Sequence, residues 1–173
     1  MENKLFFILV IVCVITHIIR TIYEILKHKG VLTANKLTFV IIFTNMFALW
    51  VSWFSLCSLD ANRIALPGVI QYASLILVVI GVIVFLVGLF TIKTLESYEG
   101  DLITKGIYSK IRHPMYLGFI LWLFGWPLYW DALFSFVISL PFIANVLFWR
   151  HLEEKELVER FISYKEYKKT TIF

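Results

Sequence analysis

Charge is what this sequence has least of. Only 16% of its 173 residues are Asp, Glu, Lys or Arg, where a soluble domain carries about a quarter. With 60% apolar residues and a mean hydropathy of +0.84, that scarcity excludes an ordinary water-soluble globule and a disordered chain. Cysteine is nearly missing as well. Cys13 and Cys57 both lie inside apolar runs without further ligands at metal spacing, so they read as small buried hydrophobes and no metal is expected. The glycine-rich fingerprint of strand-loop-helix nucleotide domains is absent, which excludes a Rossmann-type catalytic unit. The basic residues fall between apolar runs and form no stripe, so nucleic acid is not an expected partner.

What the chain does have is hydrophobic length. A crossing takes about 20 residues at 1.5 Å rise, and three runs qualify: Leu5 to about Leu26, Leu37 to Leu59, and Val69 to Ile92. The first lacks a small-residue cleavage site and reads as a retained anchor. It also carries His17, Arg20 and Glu24 on one helical face, read as snorkelling toward the headgroups. A polar stretch from Lys93 to Pro114 follows, then 35 apolar residues from Met115 to Trp149, broken near Trp126-Pro127 and Trp130-Asp131. That region is expected to fold as two short helices in a hairpin. Gly81 and Gly88, and again Gly118 and Gly125, are seven apart on one face, the spacing that lets another helix come close. Trp122, Trp126, Trp130 and Trp149 read as interfacial anchors.

The expected fold is therefore an all-α polytopic membrane bundle of five transmembrane helices, helices 4 and 5 forming the short hairpin, followed by an amphipathic C-terminal helix. It divides into residues 1–92, three lipid-embedded helices, and residues 93–173, the catalytic region. Five crossings put Lys4 and Arg63 on one side. Lys27, Lys29, Lys36 and every Lys and Arg from Lys93 onward fall on the other. By the positive-inside rule the N-terminus is outside and the C-terminus cytoplasmic. Four crossings would split the cationic segments without a reason.

Both long polar segments then share the cytoplasmic side. Residues 99–111 hold Gly100 and Gly106 around an apolar pair, permitting turns that leave backbone groups free for a ligand. In Arg112-His113-Pro114-Met115-Tyr116 the proline disfavours helix for His113 and suits the first position of a helix, so the imidazole marks a helix start at the interface. From Arg150 on, steps of three and four connect Arg150, Glu154, Leu157 or Val158, Phe161 and Tyr164. If that stripe packs on the bundle, Arg150 and Glu154 point inwards, where an ion needs a partner or ligand.

Gly106-Ile107-Tyr108, Arg112 to Gly118, a short apolar hairpin, Glu153-Glu154 and spaced tyrosines occur here in an order that resembles the isoprenylcysteine carboxyl methyltransferase and phospholipid methyltransferase superfamily. The resemblance covers about residues 93–169. It departs from the family pattern where Phe161 is followed by Ile162, with Tyr164 and Tyr167 beyond. It implies an integral membrane methyltransferase using S-adenosylmethionine in a cytoplasmic pocket. Carried onto this chain, the cofactor contacts fall on Leu102, Ile103, Tyr108, His113, Pro114, Met115, Tyr116 and Glu154, and the substrate-side arginine on Arg150. Arg150, Glu154 and His113 are the expected catalytic set. An inward guanidinium suits a carboxylate acceptor, so a prenylated cysteine carboxylate entering from the bilayer is the leading substrate. A phospholipid amine is the alternative, which would need a base such as His113 or a glutamate. A non-catalytic scaffold and a nicotinamide-dependent membrane reductase are the rival classes.

Overall fold

The computed structural model describes residues 2–33, 35–92 and 102–173. Lys93 and Glu99-Gly100-Asp101, singled out above, lie outside the described residues. Six helices account for most of the rest: α1 (Glu2–His28), α2 (Lys36–Leu59), α3 (Gly68–Ile92), α4 (Pro114–Tyr129), α5 (Leu133–Arg160) and α6 (Tyr164–Thr170). There is no β-strand among the described residues.

Four of these, α1, α2, α3 and α5, are long and apolar enough to cross a membrane. The fifth expected crossing, α4, has 16 residues, about 24 Å of rise against roughly 30 Å of hydrocarbon. It starts at Pro114 and holds Pro127 near its end, so proline chemistry confines it at both limits. The hairpin is present: Asp131 takes a positive φ of 55°, and the Ala132 N–H donates to the Pro127 carbonyl at 2.8 Å. Its second arm is not short. No breaker separates Trp149 from Arg150, so α5 runs unbroken for 28 residues, and the expected separate helix from Arg150 is the last three turns of α5. The chain breaks only at Phe161–Ser163, before α6.

The ends of the long helices are secured locally. The Asn35 side chain accepts from the N–H groups of Leu37 and Thr38 at 2.9 and 3.0 Å, and Thr38 Oγ1 accepts from Asn35 N–H at 2.8 Å, a capping box that starts α2. At the opposite end Asp60, buried, accepts from Ser135 N–H at 2.7 Å and Ser135 Oγ at 2.8 Å, tying the exit of α2 to the entry of α5.

The glycine spacing has a direct structural counterpart in the packing of α3 against α4. A Cβ on Gly81 would stand 2.8 Å from the Gly118 carbonyl oxygen, and one on Gly125 2.9 Å from the Ser74 carbonyl oxygen. The two helices meet backbone to backbone, as small-residue seams in membranes do. Trp122 and Trp149, read as interfacial anchors, are instead buried in the bundle. Trp126 donates from Nε1 to the Phe54 carbonyl at 2.9 Å.

Helix α1 is inside out relative to a water-soluble amphipathic helix. Ile8, Ile11, Ile15, Ile18 and Ile22 are exposed, whereas Thr16, His17, Arg20 and Glu24 are buried. The snorkelling expectation therefore fails: the polar face turns into the bundle because its partners are there. Asn145 reaches His17 Nδ1 at 3.1 Å and Thr21 Oγ1 at 3.0 Å. Trp149 Nε1 donates to Thr21 Oγ1 at 2.9 Å, and Asn45 Nδ2 donates to the Thr16 carbonyl at 3.0 Å.

Candidate active site

A cleft opens where the polar face of α1, the start of α4 and the end of α5 converge. It holds about 1290 Å³ of space including its open mouth. The loop before α4 forms one wall with Leu102, Ile103 and Tyr108, and α4 contributes Met115 and Tyr116. Helix α1 supplies Arg20, Tyr23, Glu24 and Lys27, and α5 supplies Trp149, Glu153 and Glu156. Phe161, Tyr164 and Tyr167 close it from the tail, while Ile42, Met46, Trp50 and Phe85 make an apolar end.

Local chain features set this geometry. Gly106 has φ +61°, a left-handed conformation that glycine adopts without strain, and it opens a 3-10 turn over Gly106–Ser109 that buries Tyr108. His113 then takes a non-helical conformation as the N-cap of α4, with Pro114 at the first helical position. The last residues fold back over this loop. Ile172 N–H donates to the Lys110 carbonyl at 2.8 Å, Arg112 N–H to the Ile172 carbonyl at 3.1 Å, and Tyr167 Oη to the Tyr108 carbonyl at 2.6 Å.

Of the residues expected to contact a cofactor, Leu102, Ile103, Tyr108, Met115 and Tyr116 all line the one cleft. His113, Pro114 and Glu154 sit behind it. Glu154 is buried and engaged three ways: Lys168 Nζ at 2.8 Å, Arg112 Nε at 3.3 Å and His113 Nε2 at 3.5 Å. Tyr164 Oη lies 3.4 Å from the same His113 nitrogen. Glu154 thus joins the loop, α4 and α6 at one carboxylate. Arg150 is not among the cleft residues; its guanidinium lies over the Phe173 ring, 4.6 Å from the centroid. Three other arginines, Arg20, Arg112 and Arg160, do border the cleft; Arg20 is ion-paired with Glu24 and lies over the rings of Tyr23 and Trp149 at 5.4 and 5.9 Å. Tyr116 of α4 lies on the same wall, close to both Arg20 of α1 and Glu153 of α5.

Glu153, Tyr23 and Lys27 are cleft residues that residue patterning did not single out, and Arg20 and Glu24 read there only as a snorkelling face. Glu153 is next to the expected Glu154, and a one-residue step on a helix turns a side chain by about 100°. The signal for α1 was present in the shared face of Arg20 and Glu24.

Burial raises the pKa of Tyr108, with Glu153 adding to it, and raises that of Tyr164, with Glu154 adding. Burial also raises Tyr167, against the opposing effect of Arg112. All three act as neutral hydroxyls at physiological pH. Among the described residues no group of three or more His, Cys, Asp or Glu is placed to hold a metal ion.

The donor set fits a sulfonium cofactor such as S-adenosylmethionine: Glu153 and the faces of Tyr116 and Trp149 suit a cation, and the Leu102–Ile103 edge suits a flat apolar group. Comparison with known proteins accords with this geometry. A family model described as phospholipid methyltransferase matches residues 69–165, more than half of the chain and the part that carries α3, the loop, α4 and α5. Neither the curated proteins nor the solved structures contain a significant match. The chain belongs to the phospholipid methyltransferase family, within the superfamily of integral membrane methyltransferases that also includes the isoprenylcysteine carboxyl methyltransferases.

Proposed function

We propose that this protein uses S-adenosylmethionine to methylate the amine of a membrane phospholipid. The observation that carries the acceptor choice is the charge and ring content of the cleft wall. Glu24, Glu153 and Glu156 line it together with Tyr23, Tyr116 and Trp149, alongside the cations Arg20, Lys27, Arg112 and Arg160, so the wall carries both signs, as an amine phospholipid headgroup does; Arg150 is not part of it. Carboxylates and aromatic faces suit an ammonium and its methylated products.

Leu102, Ile103, Tyr108, Met115, Tyr116 and Glu153 are assigned to hold the cofactor, which supplies an electrophilic methyl group on a positively charged sulfur. Positioning by these residues is the main catalytic contribution, since a displacement of this kind needs alignment more than covalent help. A lipid amine near pKa 10 is protonated at neutral pH. Glu153, on the cleft wall beside Tyr116, is assigned to take the proton from the acceptor nitrogen. His113 and Glu154 are positioning residues that fix the start of α4 and dock the tail. The site opens to the cytoplasm, with the N-terminus outside, an orientation supported by the one-sided distribution of Lys and Arg. In it α4 serves as the short arm of the hairpin.

Carboxyl methylation of a prenylcysteine-type lipid is the second reading. Arg20 on the wall favours it, because a guanidinium can grip a carboxylate with two parallel hydrogen bonds. Detergent-solubilised protein, labelled cofactor and both lipid classes separate the two. Base-stable label in the amine phospholipid is expected. Base-labile label confined to the prenylcysteine lipid would overturn the amine assignment.

A further inference from the structure

The α1 side of the cleft lies outside the family-matched residues, yet it carries a costly pair of buried charges. Arg20 and Glu24 are only 9% and 4% exposed and paired with each other, inside a helix suited to cross a membrane. Removing two ions from water costs more than a single buried pair commonly returns, and apolar residues would pack there at no such cost. As scaffolding the pair is therefore a poor solution. It is also not sealed away, since both side chains border the cleft. Lys27, one turn nearer the end of α1, borders it too, with its ammonium 3.5 Å from Glu156. With Lys27 engaged by Glu156, the Arg20–Glu24 pair sets a positive and a negative group side by side on the cleft wall. The ligand that offsets its desolvation is one with both signs a few ångströms apart.

We infer that the Arg20–Glu24 pair reads a zwitterionic phospholipid headgroup by exchanging partners with it, Arg20 taking the phosphate and Glu24 the ammonium. This deepens the amine reading above and rests on it. The exchange keeps every buried charge paired. An acceptor bearing only a carboxylate would satisfy Arg20 and leave Glu24 buried without a counter-charge, which disfavours it. The apolar end at Ile42, Met46 and Phe85 receives the acyl chains, so headgroup and tails meet matching walls. Acceptor choice is thereby separated from cofactor binding: α1 sets the first, and residues 102–116 with Glu153 set the second.

The test uses the full chain in lipid nanodiscs with the double substitution Arg20→Met/Glu24→Met, which keeps side-chain length and removes both charges. The thermal midpoint is expected to be unchanged or higher, and the cofactor Kd by calorimetry to stay within about twofold. The KM for an amine-headgroup phospholipid is expected to rise at least about tenfold. Immobilisation of a spin-labelled amine phospholipid, read by electron spin resonance, falls in parallel. An unchanged KM and unchanged lipid immobilisation, with the wild type methylating the amine lipid, overturns this inference alone. Equal losses of cofactor and lipid affinity also overturn it, since the pair would then belong to the cofactor site. Wild-type protein that labels only prenylcysteine lipid defeats the amine reading itself. Should the double variant not fold, Arg20→Lys keeps the charge and loses the forked donor, and a three- to fivefold rise in lipid KM with unchanged cofactor Kd is the expected result. An unchanged lipid KM would overturn the assignment of Arg20.

Discussion

Replacing Gly118 by Ala tests the close approach of α3 and α4 along their seam. A methyl group there runs into the Gly81 carbonyl oxygen and stands 2.8 Å from both the nitrogen and Cβ of Phe85. These neighbours are backbone or backbone-attached atoms that cannot rotate away, so the helices must separate by several tenths of an ångström along the seam. Overpacking of this kind costs about 1–3 kcal/mol, and near-backbone contact puts this site at the upper end. Alanine returns about 1 kcal/mol of helix propensity, leaving a net loss of about 2 kcal/mol. For a chain of this size that lowers the thermal midpoint by about 4–8 °C, measurable by a detergent-phase thermal shift. Gly68→Ala is the control. Its new methyl would meet nothing closer than Tyr72 Cε2 at 4.0 Å, so the midpoint should hold. Gly81→Ala should match Gly118→Ala, and the double variant should lose less than the sum, because one separation relieves both clashes. A Gly118→Ala protein as stable as the parent would refute the close approach.

Glu154→Gln removes the carboxylate shared by Arg112, His113 and Lys168. Losing one member of a buried pair costs about 3–5 kcal/mol; with Lys168 half exposed we expect about 2 kcal/mol of tail docking. Tryptic cleavage at Lys165, Lys168 and Lys169 should accelerate about thirtyfold. Arg150→Met loses a cation–ring contact with Phe173 worth about 1 kcal/mol and should leave cofactor affinity within twofold by equilibrium dialysis; a tenfold loss would place Arg150 in the site. Tyr108 and Tyr164 resist ionisation when docked. Below the ordinary phenol value of about 10 the docked and free tails bind the same protons, and above it the free tail gains by releasing them. Tail docking should therefore be constant from pH 7 to about 9 and weaken as pH rises beyond about 10, read as tyrosinate absorbance with tail proteolysis.

Much of the architecture was legible because hydrophobic length and proline placement act locally. Pro114 had to open a helix, and Gly118 and Gly81 had to face small neighbours. The unbroken α5 was less legible, since a change from apolar to charged composition at Arg150 resembles a boundary although nothing in the backbone chemistry stops the helix there. The site divides in the same way. Leu102, Tyr108 and Tyr116 reach the cleft as expected. Which of Glu153 and Glu154 faces it depends on the rotation of α5 within the bundle, a tertiary property. Arg20 and Glu24 were visible as a shared face, but the partners that draw that face inward lie on other helices, Asn45 on α2 and, far along the chain, Asn145 and Trp149 on α5.

That separation bears on how the protein is made. The polar groups of α1 wait for Asn145 and Trp149, which leave the ribosome more than 120 residues later. During synthesis the helix therefore has His17 and Thr21 without their α5 partners, and Arg20 and Glu24 with only each other. Its isoleucine face favours insertion, while these groups favour the bilayer margin. Final seating of α1 is thus coupled to the arrival of α5, and truncation before residue 145 should leave the first helix loosely held and open to quality-control proteolysis.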